Sequence, residues 1–229
     1  MRTKPLVVRA ARVLHPTVVP FVPTMVLLEV PEGTVEIKAN AYKGRTDITM
    51  VRIPASVKAI GGLAFYGCSG ITNLHLPASV KHIGEFAFRG CSGITTLHLA
   101  EGLESIGRNA FFNCRGIVSV HLPASLRSIG DSAFFSCTGI TCLPIPPRVQ
   151  SIGTSAFNGC SGIVGLHLPE SLRSIGEGAF HTCPGITSLR IPPRVQSIGS
   201  PAFSRSSSHV DLHLPDGLPH PPPGPLHGC

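Results

Sequence analysis

The chain has 229 residues, of which 42% are hydrophobic and 14% are charged, and its formal net charge is +7 at pH 7. This composition excludes a mainly disordered protein, because disordered chains combine low hydrophobicity with high net charge. The basic residues are scattered along the sequence, which argues against a dense nucleic-acid-binding surface.

Residues 1–29 are predicted to form an N-terminal extension that caps the domain. The first 28 residues contain four basic residues and no acidic ones, as some targeting segments do. Their apolar stretch, residues 13–28, is interrupted by three prolines and is too short to span a bilayer. The sequence therefore favours an intracellular location over the cell surface or an organelle, and leaves those two open.

Residues 30–213 are predicted to contain eight repeats of 23 residues. A cysteine marks the period in six of them, at Cys68, Cys91, Cys114, Cys137, Cys160 and Cys183. A repeat this short cannot bury its own apolar face, so successive repeats must stack around one shared core. The spacing thus predicts a single solenoid domain.

Each repeat contains one predicted strand, shown most clearly by residues 71–76. The alternation at its end places Leu74 and Leu76 on one face, and Asn73 and His75 on the other. The proline that follows removes a hydrogen-bond donor and ends the strand. Nine strands of this kind are expected to form one continuous parallel ladder, with turns or short 3₁₀ segments opposite.

The core is predicted to contain a row of aromatic rings and a row of thiols. A phenylalanine recurs in phase in seven repeats, and Tyr42 takes its place in the first. The in-phase cysteines are expected to be buried and reduced, with disulfides between neighbouring repeats left open. Because the phenylalanines are assigned to the core, no exposed aromatic cluster is expected.

A second period of 46 residues lies over the first, since the repeats starting at Leu122, Ile145, Leu168 and Ile191 alternate between two types. Duplication of a repeat pair explains this pattern most simply. Catalytic sites need residues that break a repeat, so the pattern argues against an enzyme. Residues 214–229 are predicted to be a partial repeat and a proline-rich tail that cannot pair as a strand.

The repeat resembles the BspA-like leucine-rich repeats, whose pattern is LxxLxLPxxLxxIGxxAFxxCxx. The positions that carry the resemblance in one repeat are Ile71, Leu74, Leu76, Pro77, Val80, Ile83, Gly84, Ala87, Phe88 and Cys91. The resemblance implies an α/β repeat solenoid wound as a right-handed superhelix, with its parallel β ladder on the concave face. It also implies protein binding and, in several members, cell-surface adhesion.

Polar residues on the predicted concave face are the candidate contacts with a partner. They are Arg52, Asn73, His75, Thr96, His98, Ser119, His121, His167, Arg190, Asp211 and His213. Neighbouring imidazoles one repeat apart should oppose each other's protonation. One interpretation of the histidine column is a pH-sensitive or metal-binding surface. The alternative, which we favour, is that histidine is a tolerated polar residue that duplication has copied.

The sequence predicts a non-catalytic scaffold that binds a protein or peptide, with a surface adhesin of the same fold as the alternative. No catalytic residue, metal site or cofactor is predicted, since the in-phase thiols face the core and no Cys-x-x-Cys pair occurs. A basic column at Lys58, Lys81, Arg127 and Arg173 is interrupted by Glu104 and Gln150, which disfavours nucleic acid. Cys142 is out of phase and is expected on the concave face.

Overall fold

The structure is a computed structural model that describes residues 25–206 and 211–213. These residues form about eight turns of a parallel solenoid, as predicted. The strands are β1 (Val26–Glu29), β2 (Glu36–Ile37), β3 (Ile48–Arg52), β4 (Ala59–Ile60), β5 (Asn73–Leu76), β6 (His82–Ile83), β7 (Thr96–Leu99), β8 (Ser105–Ile106), β9 (Ser119–His121), β10 (Ser128–Ile129), β11 (Ser151–Ile152), β12 (Ser174–Ile175), β13 (Ser188–Arg190), β14 (Ser197–Ile198) and β15 (Asp211–His213). Within the described residues, no helix is long and apolar enough to cross a membrane.

The first ladder contains the longer strands, in the order β1-β3-β5-β7-β9. Its register advances by one repeat per strand, so that Asn73 pairs with Thr96 and Leu74 with Leu97. Leucines at alternate positions are buried, while the residues between them face outward. The hydrophobic alternation in the sequence therefore sets the register.

The prediction of nine strands in one continuous ladder is wrong. After β9 the next two repeats contribute a single bridge between Pro144 and His167, and pairing resumes between β13 and β15. Pro144 has no N–H to donate, and Gly165 has a φ of 73°, which is not an extended conformation. These two residues interrupt the ladder.

A second parallel ladder runs along the solenoid in the order β14-β12-β11-β10-β8-β6-β4-β2. Each of its strands has two residues, of which the second is an isoleucine packed against the core, buried in seven strands and half-buried at Ile198. This ladder continues past Pro144, because that proline lies in the other strand of its repeat. The solenoid therefore stays continuous where the first ladder breaks.

On the side opposite the first ladder, hydrogen-bonded turns take the place of the predicted short helical segments. Within one repeat, the Tyr66 N–H donates to the Leu63 carbonyl at 3.1 Å. The next donor upstream, the Phe65 N–H, points to the Ala87 carbonyl of the following repeat at 2.7 Å. Successive N–H groups thus donate alternately within their own repeat and to the following repeat. This alternation prevents a continuous helix and limits this side to isolated 3₁₀-type turns.

The predicted aromatic row forms the centre of the core. Eight rings from Tyr42 to Phe203 stack in sequence, with centroids 5.1–5.5 Å apart. The six phenylalanines from Phe65 to Phe180 are fully buried. Each interior ring contacts one above and one below, so the stack links every repeat to its neighbours.

The six in-phase cysteines are buried free thiols, as predicted. Each donates a hydrogen bond through Sγ to a main-chain carbonyl 26 residues earlier, for example from Cys137 to Phe111 at 3.1 Å. Ser206 replaces cysteine in the last repeat, and its Oγ donates to the Phe180 carbonyl at 2.7 Å. In these seven repeats the position therefore combines a small buried side chain with a hydrogen-bond donor.

The predicted N-terminal cap and C-terminal tail lie almost entirely outside the described residues. Of residues 1–29, the structure describes 25–29, where β1 adds a strand to the first ladder. Residues 214–229 lie outside the described part of the chain. The domain boundaries at residues 29 and 213 stay predictions.

Candidate functional site

The candidate site on the first ladder is centred on three stacked imidazoles. His75, His98 and His121 occupy the same position of β5, β7 and β9 and pair in register. Their ring centroids are 4.8 Å apart at both steps, and neighbouring planes differ by 7° and 8°. The strand spacing alone brings these rings into contact, because it matches the distance between them.

The central imidazole differs electrostatically from an isolated one. Desolvation lowers the pKa of His98, and the charges that His75 and His121 acquire on protonation lower it further. His98 is half-buried between its neighbours, whereas the two outer histidines are exposed. A neutral His98 therefore presents both a hydrogen-bond donor and an acceptor at a pH where an unperturbed histidine begins to protonate.

A second column of polar side chains runs beside the imidazoles. Asn73, Thr96 and Ser119 lie two residues before the histidines of their strands, and all three are exposed. Both columns stand on a main chain whose N–H and C=O groups are fixed by the ladder. Together they form a surface with many hydrogen-bond donors and acceptors.

The predicted contact residue Arg52 lies in the histidine column of β3, toward the N-terminal end. Its Nη1 is 3.5 Å from Oε1 of Glu29 in β1. Both side chains are largely exposed, so the ion pair contributes little to stability. It does reduce the net charge at this end of the strand face.

The structure does not bring the remaining predicted residues into the same sheet. His167 and Arg190 are exposed but lie beyond the interruption at Pro144. Asp211 and His213 pair through their main chains with Ser188 and Arg190 in the separate two-stranded sheet. The stacked histidines and the three residues beside them are therefore the compact part of the predicted site.

Two exposed valines at the start of the strand region were not predicted. Val118 and Val164 expose 54% and 75% of their surfaces. Threonine occupies the same column in other repeats, and the hydroxyl of Thr95 donates to the Thr72 carbonyl at 3.2 Å. The replacement of threonine by valine in this column is the sequence feature that could have revealed these two exposed side chains. It adds apolar contact points to a polar edge.

A groove, an exposed thiol and the metal-binding potential of the side chains complete the description of the surface. A shallow groove of about 500 Å³ follows the second ladder, lined by the Ser-Ile-Gly segments of four repeats. It includes none of the predicted contact residues. Cys142 is exposed, as predicted. Among the residues that the structure describes, no group of three or more His, Cys, Asp or Glu side chains could hold a metal ion.

Comparison with solved structures identifies other solenoids of this kind. A leucine-rich repeat protein from T. pallidum is 29% identical, with a TM-score of 0.64, over 69% of this chain and 77% of that one. A leucine-rich cell surface protein from Faecalibacterium prausnitzii is 26% identical, with a TM-score of 0.61. The alignment covers 82% of this chain and 60% of that protein. None of the curated proteins matches the chain.

Comparison with protein families gives the same result over a longer part of the sequence. The BspA type leucine-rich repeat region, in six copies, matches residues 24–141 and 135–220. These matches cover both ladders and the aromatic core described above. The chain therefore belongs to the BspA type leucine-rich repeat family.

Proposed function

We propose that this protein is a non-catalytic scaffold whose concave strand face binds a protein or peptide. The observation that supports this most directly is the stack of His75, His98 and His121 beside Asn73, Thr96 and Ser119. These six side chains form one continuous polar surface on a hydrogen-bonded ladder.

The energetics of such a surface favour recognition of an extended chain. Stacking restrains the imidazoles before binding, which reduces the side-chain entropy that association would remove. The exposed donors and acceptors recur in neighbouring strands, where they can pair with polar groups of a bound peptide or protein. Val118, which immediately precedes β9, adds an apolar contact at the edge of this surface.

A surface adhesin is the second candidate function. The F. prausnitzii protein, described as a leucine-rich cell surface protein, supports it, because it shares the fold and 26% of aligned residues. The proposal of a concave binding face is common to both candidates. They differ in the compartment where the partner is met.

The first test is proximity labelling in the source cell with the intact chain tagged after Cys229. Intracellular neighbours favour the general scaffold, and labelling of surface proteins favours the adhesin. Purified partners are then titrated against the wild type and a triple variant with His75→Ala, His98→Ala and His121→Ala. We expect the triple variant to bind at least about tenfold more weakly.

The matched control replaces three half-buried serines of the second ladder, Ser128→Ala, Ser151→Ala and Ser174→Ala. It removes as many polar groups from the same number of adjacent repeats. Equal losses in the two triple variants would contradict a specific role for the histidine face. Thermal unfolding followed by circular dichroism checks that both variants remain folded.

A further inference from the structure

The turn side of the solenoid has a patch of aromatic and basic residues that the sequence analysis did not predict. Its residues are Leu63, Tyr66, Phe86, Arg89, Phe112 and Phe135, and all six are half-buried. The expectation that every phenylalanine lies in the core is wrong for three of them. We refer to these six residues as the turn-face patch.

Arg89 is the centre of the turn-face patch. Its guanidinium carbon lies 4.3 Å from the centroid of Phe112, 5.6 Å from Phe86 and 6.0 Å from Tyr66. Phe112 also stacks on Phe135, with centroids 4.6 Å apart and planes within 3°. Cation–π and stacking contacts thus hold the patch together across four repeats.

Backbone strain indicates that the apolar residues of the patch are not there for folding alone. Leu63 and Phe86 have φ values of 59° and 58°. Other repeats place Asn109, Ser132 or Ser155 at this position, also with positive φ. Asparagine is among the side chains that tolerate this region best, whereas bulky residues there are outliers that often mark functional sites.

Duplication does not explain the patch either. Tyr66, Arg89 and Phe112 follow the core phenylalanine of their repeats, and Asn158 and His181 hold that position in later ones. The aromatic and basic residues are therefore confined to a few adjacent repeats. Such clusters of aromatic residues and arginine are typical of interaction hot spots.

The charges and ring orientations define the chemistry of a partner. The rings of Phe112 and Phe135 each cover one face of the other, and the Arg89 guanidinium lies over the ring of Phe112. The guanidinium of Arg89 forms no salt bridge with any side chain in the described part of the protein. Lys43 adds a second cation, with Nζ 5.4 Å from the centroid of Tyr66.

We propose that the turn-face patch binds a protein segment in which an aspartate or glutamate lies next to a large apolar side chain. The carboxylate pairs with the free edge of the Arg89 guanidinium, and the apolar group covers the rings beside it. Single-stranded nucleic acid fits less well, because its bases stack on ring faces, whereas Arg89 lies over the rings of Tyr66, Phe86 and Phe112 and Phe112 stacks on Phe135.

The test selects a random 12-residue peptide library, displayed on phage, against the intact chain. The same selection is made on variants with Arg89→Gln and Phe112→Ser, and on Asn158→Ala as a matched control in the same column. We expect the wild type and the control to enrich peptides with an acid beside a large apolar residue. A synthetic enriched peptide should bind each patch variant at least about tenfold more weakly.

Several results would overturn this proposal. Enriched peptides without acids, the same peptides on all variants, or no enrichment would each do so. Binding of (dT)20 that is lost with Arg89→Gln would assign the patch to nucleic acid. A wild-type dimer that Phe112→Ser converts to a monomer would assign it to a second copy of the chain. The histidine triple variant should retain the peptide, which separates this test from that of the strand face.

Discussion

Replacing Phe134 with alanine should cost much more stability than the same change at Phe203. Phe134 is fully buried and stacks on Phe111 and Phe157 at 5.2 and 5.3 Å. Phe203 is 8% exposed and stacks on Phe180 at 5.5 Å, in the last repeat. From the usual cost of truncating a buried phenylalanine, we expect Phe134→Ala to lose about 4–5 kcal/mol and Phe203→Ala about 2–3 kcal/mol.

Urea unfolding followed by far-UV circular dichroism measures both the loss and its effect on cooperativity. Solenoid stability is approximately a sum of repeat and interface contributions. A defect at Phe134 weakens an interior interface, so the transition should broaden as the two halves begin to unfold separately. A defect at Phe203 leaves the remaining array coupled and should shift a single transition. Equal losses and equally sharp transitions would refute this reasoning.

Three further predictions concern the titration of His98, the reactivity of the thiols and the substitution of a glycine. Because the folded-state pKa of His98 lies below its unfolded value of about 6.5, acidification protonates the unfolded chain first, and stability should fall as the pH drops through that value. In NMR titrations, removing His75 and His121 should raise the pKa of His98, whereas His167→Ala should leave it unchanged. In a Cys229→Ser background, Ellman's reagent should modify Cys142 in the native protein and the other thiols only after unfolding. The reason is that burial raises the pKa of Cys68 to about 11 and that of Cys114 to about 12. Immediate reaction of all thiols would contradict this prediction. A Cβ on Gly116 would lie 2.3 Å from the Ser92 carbonyl oxygen, so Gly116→Ala should cost about 1–3 kcal/mol in urea unfolding. Gly62→Ala, with its nearest atom at 3.2 Å, should cost clearly less.

The two proposed binding surfaces lie in the same part of the solenoid. The stacked histidines span residues 75–121, and the turn-face patch spans residues 63–135. The last residue of the patch, Phe135, lies in the first of the four repeats that alternate with a 46-residue period.

The sequence contains the residue that interrupts the first ladder, although the repeat pattern predicted a continuous ladder. Pro144 stands in the histidine column, and a proline inside a strand removes a ladder hydrogen bond. The strong repeat pattern on either side outweighed this single residue. The second ladder was not predicted, because its two-residue strands are too short for alternation to reveal.

The 23-residue period by itself determined the solenoid, the aromatic row and the buried thiols. This was possible because stacked repeats must bury the same positions, so the core residues recur at fixed positions in every repeat. Only the tertiary structure decided that three imidazoles stack and that Phe112 and Phe135 lie half-buried outside the core. Those features depend on the distance between neighbouring repeats and on which side chains occupy adjacent positions, and the outward-facing positions differ from one repeat to the next.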